Sequence, residues 1–337
     1  MYNNVLTLGD VRISICTDVK DCLNIFMSNQ FVQEGIFGLK SENTRRTINI
    51  YMYKKKAVVE KVKKEQEKIS FSCFTVYISN KIDDPKGIII ERSRDNALRD
   101  YIIIADNTNS EIIFLRSVLI KLFFEQHTQI GCYPLHCSGI CHKGNGYLFL
   151  ADSKGGKSTV FFAFSAYAAS TQYKLLTDDT VLCKWEKNKV IGYCMPLKPS
   201  LRRGTLEYLS QMRQFEEEFR KSDYGMDDQI YIDVSRLGKL DSVLSCNVKA
   251  AFFIEFSNLF SVVKMTSSDF LKSKLAMIIC GYRATPVDEK MLNFLNRITQ
   301  SIDFYMLSIP KNMRDFFNEF NLWVERFEKE TYEKNNI

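Results

Sequence analysis

The sequence predicts an α/β protein: a mixed-sheet core over residues 111–337 behind an N-terminal α+β region over 1–110. Two observations carry that expectation. From Tyr133 onward, short runs rich in β-branched and aromatic residues alternate with helical stretches, as in an α/β domain. Before residue 108 the strand-like runs 11–16, 47–53, 71–79, 87–91 and 101–105 are interrupted mainly by a charged stretch of helical propensity at 54–68. No Gly/Ser-rich linker separates the halves, so the boundary near Ser110 is soft.

In order along the second region, 111–128 reads as a helix that is apolar over most of its surface and hence largely buried. Strands at 135–141 and 146–151 follow, joined by a turn at His142-Lys143-Gly144-Asn145. A glycine-bearing loop leads into a helix at 158–170, then strands at 174–177 and 181–185. The turn Glu186-Lys187-Asn188-Lys189 folds a hairpin onto 190–194. A polar helix at 205–221, strands at 229–233 and 248–255, and helices near 269–279 and 288–301 come next. A last strand at 304–309 and a helix at 313–329 complete the pattern.

With 337 residues, 45% hydrophobic and 26% charged, the chain can bury a sizeable core, and disorder is not expected away from its ends. Its longest apolar runs, 111–124 and 158–169, are short or interrupted, so no membrane span is expected. Met1-Tyr2-Asn3-Asn4 begins no basic-then-apolar leader, and a cytoplasmic protein is expected. Ten cysteines without a Cys-x-x-Cys pair fit reduced thiols. Cys132, His136, Cys137, Cys141 and His142 are residue types that zinc favours. Alternation along strands sends them to opposite faces, and core thiols are the better reading.

The net charge of +6 is concentrated. Nine Lys or Arg and three Glu lie between Arg45 and Lys68, a surplus equal to that of the whole chain. A solvated helix or loop explains it; the functional alternative is a landing patch for an acidic peptide or protein. Nucleic acid is not expected as a partner, because no aromatic-basic interleaving is present.

Chemistry is concentrated at Ala151-Asp152-Ser153-Lys154-Gly155-Gly156-Lys157-Ser158, between a predicted strand and a predicted helix. Backbone N–H groups at a helix start point at an anion, and the helix dipole favours negative charge there. Gly-x-x-x-x-Gly-Lys-Ser/Thr is matched except at its first glycine, here Ala151. Lys157 is placed to reach terminal phosphates and the Ser158 hydroxyl to bind Mg2+. A turn that happens to carry a lysine is the plain alternative. Thr177-Asp178-Asp179-Thr180 lies at a strand end 21 residues beyond Lys157. Two adjacent carboxylates can divide the work, one holding Mg2+ beside Ser158 and the other accepting a proton from an attacking hydroxyl. His136, 21 residues before Lys157, opens the strand expected to pair with the one that feeds the loop.

Taken together, Pro134-Leu135-His136-Cys137-Ser138-Gly139, Gly146-Tyr147-Leu148-Phe149-Leu150-Ala151, Lys154–Thr159 and Leu175–Asp179 resemble the HPr kinase and phosphoenolpyruvate carboxykinase superfamily. The likeness is greatest to the HPr-kinase-like serine kinases of gene clusters for ribosomally made, modified peptides such as lasso peptides. Those share a helix before the His strand (115–128 here), the Ser158-Thr159 pair, a Ser-Asp-Asp-like motif and a late apolar strand resembling 250–255. The resemblance spans roughly residues 110 to 260.

It implies ATP phosphates on the loop 151–159, with Lys157 on the transferring phosphate and Ser158 with Asp178 at Mg2+. It further implies Asp179 as proton acceptor and His136 as catalytic neighbour. Lys198 and Arg202 lie where the relatives carry a basic segment and would neutralise phosphate charge. Ala151 and Lys154 depart from the relatives' glycines. A Cβ at 151 narrows the turn, and a side chain at 154 is strained if φ is positive. The Glu after the P-loop serine and the Glu-Ile-Arg-Gly signature of HPr kinase proper are missing, so HPr itself is not the expected substrate. The expected activity is ATP- and Mg2+-dependent phosphorylation of a Ser or Thr hydroxyl in a peptide or small protein. The rivals are a binding component of a peptide-maturation complex with a relic loop, and another phosphate chemistry. The sequence leaves the oligomeric state open, a homo-oligomer included.

Overall fold

The computed structural model describes residues 1–8, 11–20, 22–27, 46–54, 74–78, 87–93, 98–105, 108–129, 131–152, 154–168, 172–195, 197–221, 229–237, 240–266, 274–275 and 289–335. Most of the basic stretch (55–68) and most of the helix expected near 269–279 lie outside them.

The chain forms two compact units, one of Met1–Gln129 and one of Ile130–Lys221 with Asp227–Ile337. In the first, strands β1 (Tyr2–Leu8), β2 (Val11–Thr17), β3 (Arg46–Lys54), β4 (Phe74–Ile78), β5 (Gly87–Ser93) and β6 (Leu98–Ala105) make a six-stranded sheet in the order β1-β2-β3-β6-β5-β4. A short helix, α1 (Cys22–Phe26), follows β2, and a long one, α2 (Thr108–Gln129), follows β6. Alternation decides the buried face: Ile48, Ile50 and Met52 on β3, and Tyr101, Ile103 and Ala105 on β6, all point into the core. Ile112, Leu115, Leu119 and Leu122 of α2 are buried as well. Helix α2 packs on this sheet, so the units divide after Gln129, whereas the sequence suggested a boundary near Ser110. Strand β1 has no clear sequence signal, because it is a polar edge strand with Val5 more than half exposed.

Among the described residues the second unit is built on a mixed sheet of nine strands. Its strands are β7 (Cys132–Leu135), β8 (Cys137–His142), β9 (Asn145–Leu150), β10 (Tyr173–Thr177), β11 (Val181–Glu186), β12 (Lys189–Cys194), β15 (Ser245–Ser257), β16 (Ser261–Lys264) and β17 (Asp303–Pro310). The path runs β10-β8-β9-β15-β12-β11-β7, and β17, itself paired with β16, joins the far half of β15. Among the strand pairings of the described residues here, β9–β15 and β15–β17 are parallel and the others antiparallel. A small separate ladder joins β13 (Ser200–Arg202) to β14 (Gln229–Tyr231).

Helix α3 (Lys157–Tyr167) lies against β8, β9 and β10. Its Phe164 packs among Phe149 of β9 and Phe316, Phe317 and Phe320 of the C-terminal helix α7 (Met313–Asn335). Phe252 of β15 joins the same cluster through Phe149 and Phe320. Helix α6 (Glu289–Ser301) packs near β11, β12 and β17, with Phe294 stacked on Tyr133. The mixed α/β architecture expected for this region is therefore present.

Two departures from the expected elements have physical causes. The polar helix expected at 205–221 is broken into α4 (Arg203–Tyr208), a 3₁₀ segment (Ser210–Phe215) and α5 (Glu216–Lys221). Leu206, Leu209, Met212 and Phe215 are all buried at a spacing of three, the period of a 3₁₀ helix and not of an α-helix. The strand expected at 135–141 is two strands, split at His136, because β7 pairs with β11 whereas β8 pairs with β9 and β10. Among the described residues no helix is long and apolar enough to cross a membrane.

Candidate phosphate-binding site

Strand β9 is buried within the sheet and delivers the chain at Ala151 to the loop that leads into α3 at Lys157. Lys154 sits at φ 65 and Gly156 at φ 95, both left-handed, so the loop turns twice before the helix. Such turns point successive N–H groups into one concavity. Among the described residues no side-chain cap bond is made at Gly156, the N-cap of α3, and the N–H groups of a helix start are natural donors to an anion. The strain anticipated at Lys154 is thus real. Ala151 has a different consequence: a Cβ on Gly155 would stand 2.7 Å from the Ala151 Cβ, so the alanine makes the glycine opposite it obligatory. Asp152 and Lys154 are exposed; Ser153 lies outside the described residues.

Lys157 folds back over the loop it follows. Its Nζ donates to Ala151 O at 2.8 Å and Asp152 O at 2.9 Å, and only 7% of the residue is exposed. Burial lowers its pKa, and the carboxylates of Asp179, Asp178 and Asp152 work against that lowering. Ser138, on the neighbouring β8, donates from its hydroxyl to Lys157 O at 2.9 Å and so fixes the helix start to the sheet. The Thr159 hydroxyl pairs with that of Thr205 at 3.3 Å, tying α3 to α4.

Asp178 and Asp179 follow β10 and differ sharply in surroundings. Asp178 is 3% exposed. Its Oδ2 accepts from the Ser200 N–H at 3.2 Å, whereas Oδ1 has no hydrogen-bond partner among the described residues. Burial, and then the neighbouring charge of Asp179, push its pKa up to about 7; the Ser158 hydroxyl favours the charged form. A sealed, orphaned carboxylate oxygen beside a serine hydroxyl fits a hard divalent cation, which takes oxygen ligands. Asp179 sits at φ 72, a conformation that aspartate tolerates, and its side chain is 28% exposed.

His136, at the break between β7 and β8, reaches the same residue. Its Nδ1 lies 2.9 Å from Asp179 O and 3.4 Å from Asp179 Oδ1. The hydrogen bond to the carbonyl places the proton of the neutral ring on Nδ1 and the lone pair on Nε2. Burial lowers the pKa of His136; Asp179 opposes that and Lys157 adds to it. Arg202 is half-buried on β13, two residues beyond Ser200, whose N–H meets Asp178. Lys198 is already engaged, its Nζ 3.8 Å from Asp233 Oδ2, and burial lowers its pKa.

The loop, Lys157, Ser158, Asp178, Asp179 and His136 are therefore brought together around the end of β9. The cysteine and histidine cluster is not: His142 Nδ1 meets Glu328 Oε1 at 3.1 Å, and Cys137 and Cys141 are buried. Glu328 also accepts from Asn145 Nδ2 at 2.9 Å and Tyr147 Oη at 2.8 Å. Burial would raise its pKa, but these bonds hold it below the usual carboxylate value. A groove of about 500 Å³ beside this network, lined in part by Lys143, Lys249 and Lys329, lies at the opposite end of β8 and β9 from the loop. Sequence reasoning missed Ser138, the Ser200 N–H and Phe256, whose ring lies against Gly156. Ser138 stood inside a motif already singled out, but backbone donors and cross-chain ring contacts leave no local signal.

The raised pKa of Asp178 carries a testable sign. The protonated carboxyl is favoured by the fold, so its stabilising contribution is full below about pH 4 and lost as pH rises through about 7. In metal-free buffer at pH 8, Asp178→Asn is expected to stabilise the protein by on the order of 3 kcal/mol, and to have little effect near pH 4. Thermal melts in EDTA at the two pH values check this; a destabilised Asn variant at pH 8 would rule out an uncompensated buried charge.

No protein-family model matches the chain, and no curated protein sequence does. Among solved structures it is similar to the HPr(Ser) kinase/phosphatase from Coxiella burnetii, with 15% sequence identity and a TM-score of 0.33. That match covers 59% of this chain and 96% of the other, and a superposition this loose lends no weight to any function.

Proposed function

We propose that the chain is an ATP- and Mg2+-dependent kinase that phosphorylates a Ser or Thr hydroxyl of a peptide or small protein during the making of modified peptides. The observation that carries this reading is the division between the two adjacent carboxylates. Asp178 is sealed beside Ser158 with its Oδ1 unpartnered among the described residues, and Asp179 is partly exposed and braced by His136. Environments that separate two neighbouring carboxyls are how one site holds both a cation ligand and a base.

The loop N–H groups and the start of α3 would hold the phosphates of ATP, and Lys157 would exchange the Ala151 and Asp152 carbonyls for the terminal phosphate. Asp178 and the Ser158 hydroxyl would hold Mg2+, which neutralises charge on the phosphate oxygens when bound. Asp179 takes the proton of the acceptor hydroxyl as its oxygen bonds to the γ-phosphorus. The bond from that phosphorus to the bridging oxygen breaks, and ADP leaves with the electron pair. His136 orients Asp179 through the Nδ1 contacts. The rival reading, a binding component that has lost transfer, rests on Ala151 and Lys154; the loop nonetheless keeps both left-handed turns at 154 and 156.

The test is transfer of labelled γ-phosphate from ATP to a Ser/Thr peptide library. Label on peptide, dependent on Mg2+ and absent with EDTA, is expected. ATP binding without any label or ADP release would leave the binding component as the better reading.

A further inference from the structure

We propose that Phe256, backed by Tyr208, is the platform on which the purine base of the bound nucleotide stacks, a proposal that rests on the nucleotide-binding reading above. The ring of Phe256 stands near the end of β15, against the last loop residue before α3. A Cβ built on Gly156 would lie 2.6 Å from Phe256 Cε2 and 2.9 Å from Cζ. Gly156 is thus constrained twice, by its φ of 95 and by this ring. Tyr208 of α4 stacks on Phe256, with centroids 5.3 Å apart and planes 22° apart.

The pair stands outside the aromatic core formed by Phe149, Phe164, Phe252 and Phe320, where every ring is fully buried. Phe256 keeps 38% of its surface in solvent, and Tyr208 is only half-buried. An aromatic ring held by a second ring and by the loop backbone, yet left partly open, loses little entropy when a planar group covers it. The position limits what that group is. Phosphates held by the loop leave the ribose and base to extend beyond it, and Gly156 is its last residue before α3. Stacking on a π-face is tolerant of base identity, so little discrimination between adenine and guanine is expected.

Titration calorimetry of wild type, Phe256→Ala and Phe256→Tyr with Mg-ATP and with magnesium tripolyphosphate tests the proposal. Tripolyphosphate has the phosphates and lacks the base. Phe256→Ala is expected to lose about tenfold or more in ATP affinity, the scale of one base–aromatic stack, with tripolyphosphate binding unchanged. Phe256→Tyr keeps the ring and should match wild type with both ligands. Unchanged ATP affinity in Phe256→Ala, or equal losses for ATP and tripolyphosphate, would overturn the platform. If wild type bound neither ligand, the nucleotide site itself would be lost and the platform with it, a result distinct from the other two.

Discussion

Lys157→Met is expected to reduce phosphoryl transfer by about three decades or more, the scale for removing a cation that stabilises the transferring phosphate. The methionine keeps the aliphatic stem in its buried position and deletes only the ammonium, so packing against the sheet survives. In the ligand-free protein that ammonium serves two loop carbonyls, Ala151 O and Asp152 O. Leaving both carbonyls without the lysine donor should cost on the order of 2 kcal/mol of stability, too little to unfold the unit. Single-turnover transfer and a thermal melt on the same sample separate the two effects. A variant within tenfold of wild type would show that Lys157 is a loop clasp and no more.

Asp179→Asn should lower transfer by about two to four decades, the usual contribution of a general base, with ATP affinity changed no more than a few-fold. The substitution is nearly isosteric, and asparagine tolerates the left-handed backbone at φ 72 as well as aspartate does. The carbonyl that His136 Nδ1 meets at 2.9 Å is backbone and remains in place. The substitution removes the capacity to take a proton, together with the charge that faces His136, Lys157 and Asp178. Rapid-quench measurement at saturating Mg-ATP and peptide reads the chemical step. Transfer in the Asn variant at the wild-type rate would remove the base role from Asp179.

Much of this arrangement was legible because its signals are local. The loop 151–158 lies between an apolar run and a helix-forming run, and Asp178-Asp179 interrupts two apolar strands. Such features survive reading one residue at a time. What escaped depends on neighbours distant in sequence. His136 sits at a break between strands because β7 and β8 choose different partners, and pairing partners are not written in either segment. The fragmented helix at 203–221 was overruled by burial at every third position, where charged composition alone favoured a continuous helix. The helix α2 reads correctly from its apolar surface, but the side on which the units divide is a matter of which sheet it covers.

Isothermal titration of the wild-type protein with Mg-ATP, Mg-GTP and magnesium pyrophosphate tests the phosphate-binding loop most directly. Saturable binding at one site per chain, abolished by EDTA and by Lys157→Met, is the expected result. No binding heat with any of the three in the presence of Mg2+ would contradict it, and the loop 151–158 would then be a turn that happens to carry a lysine.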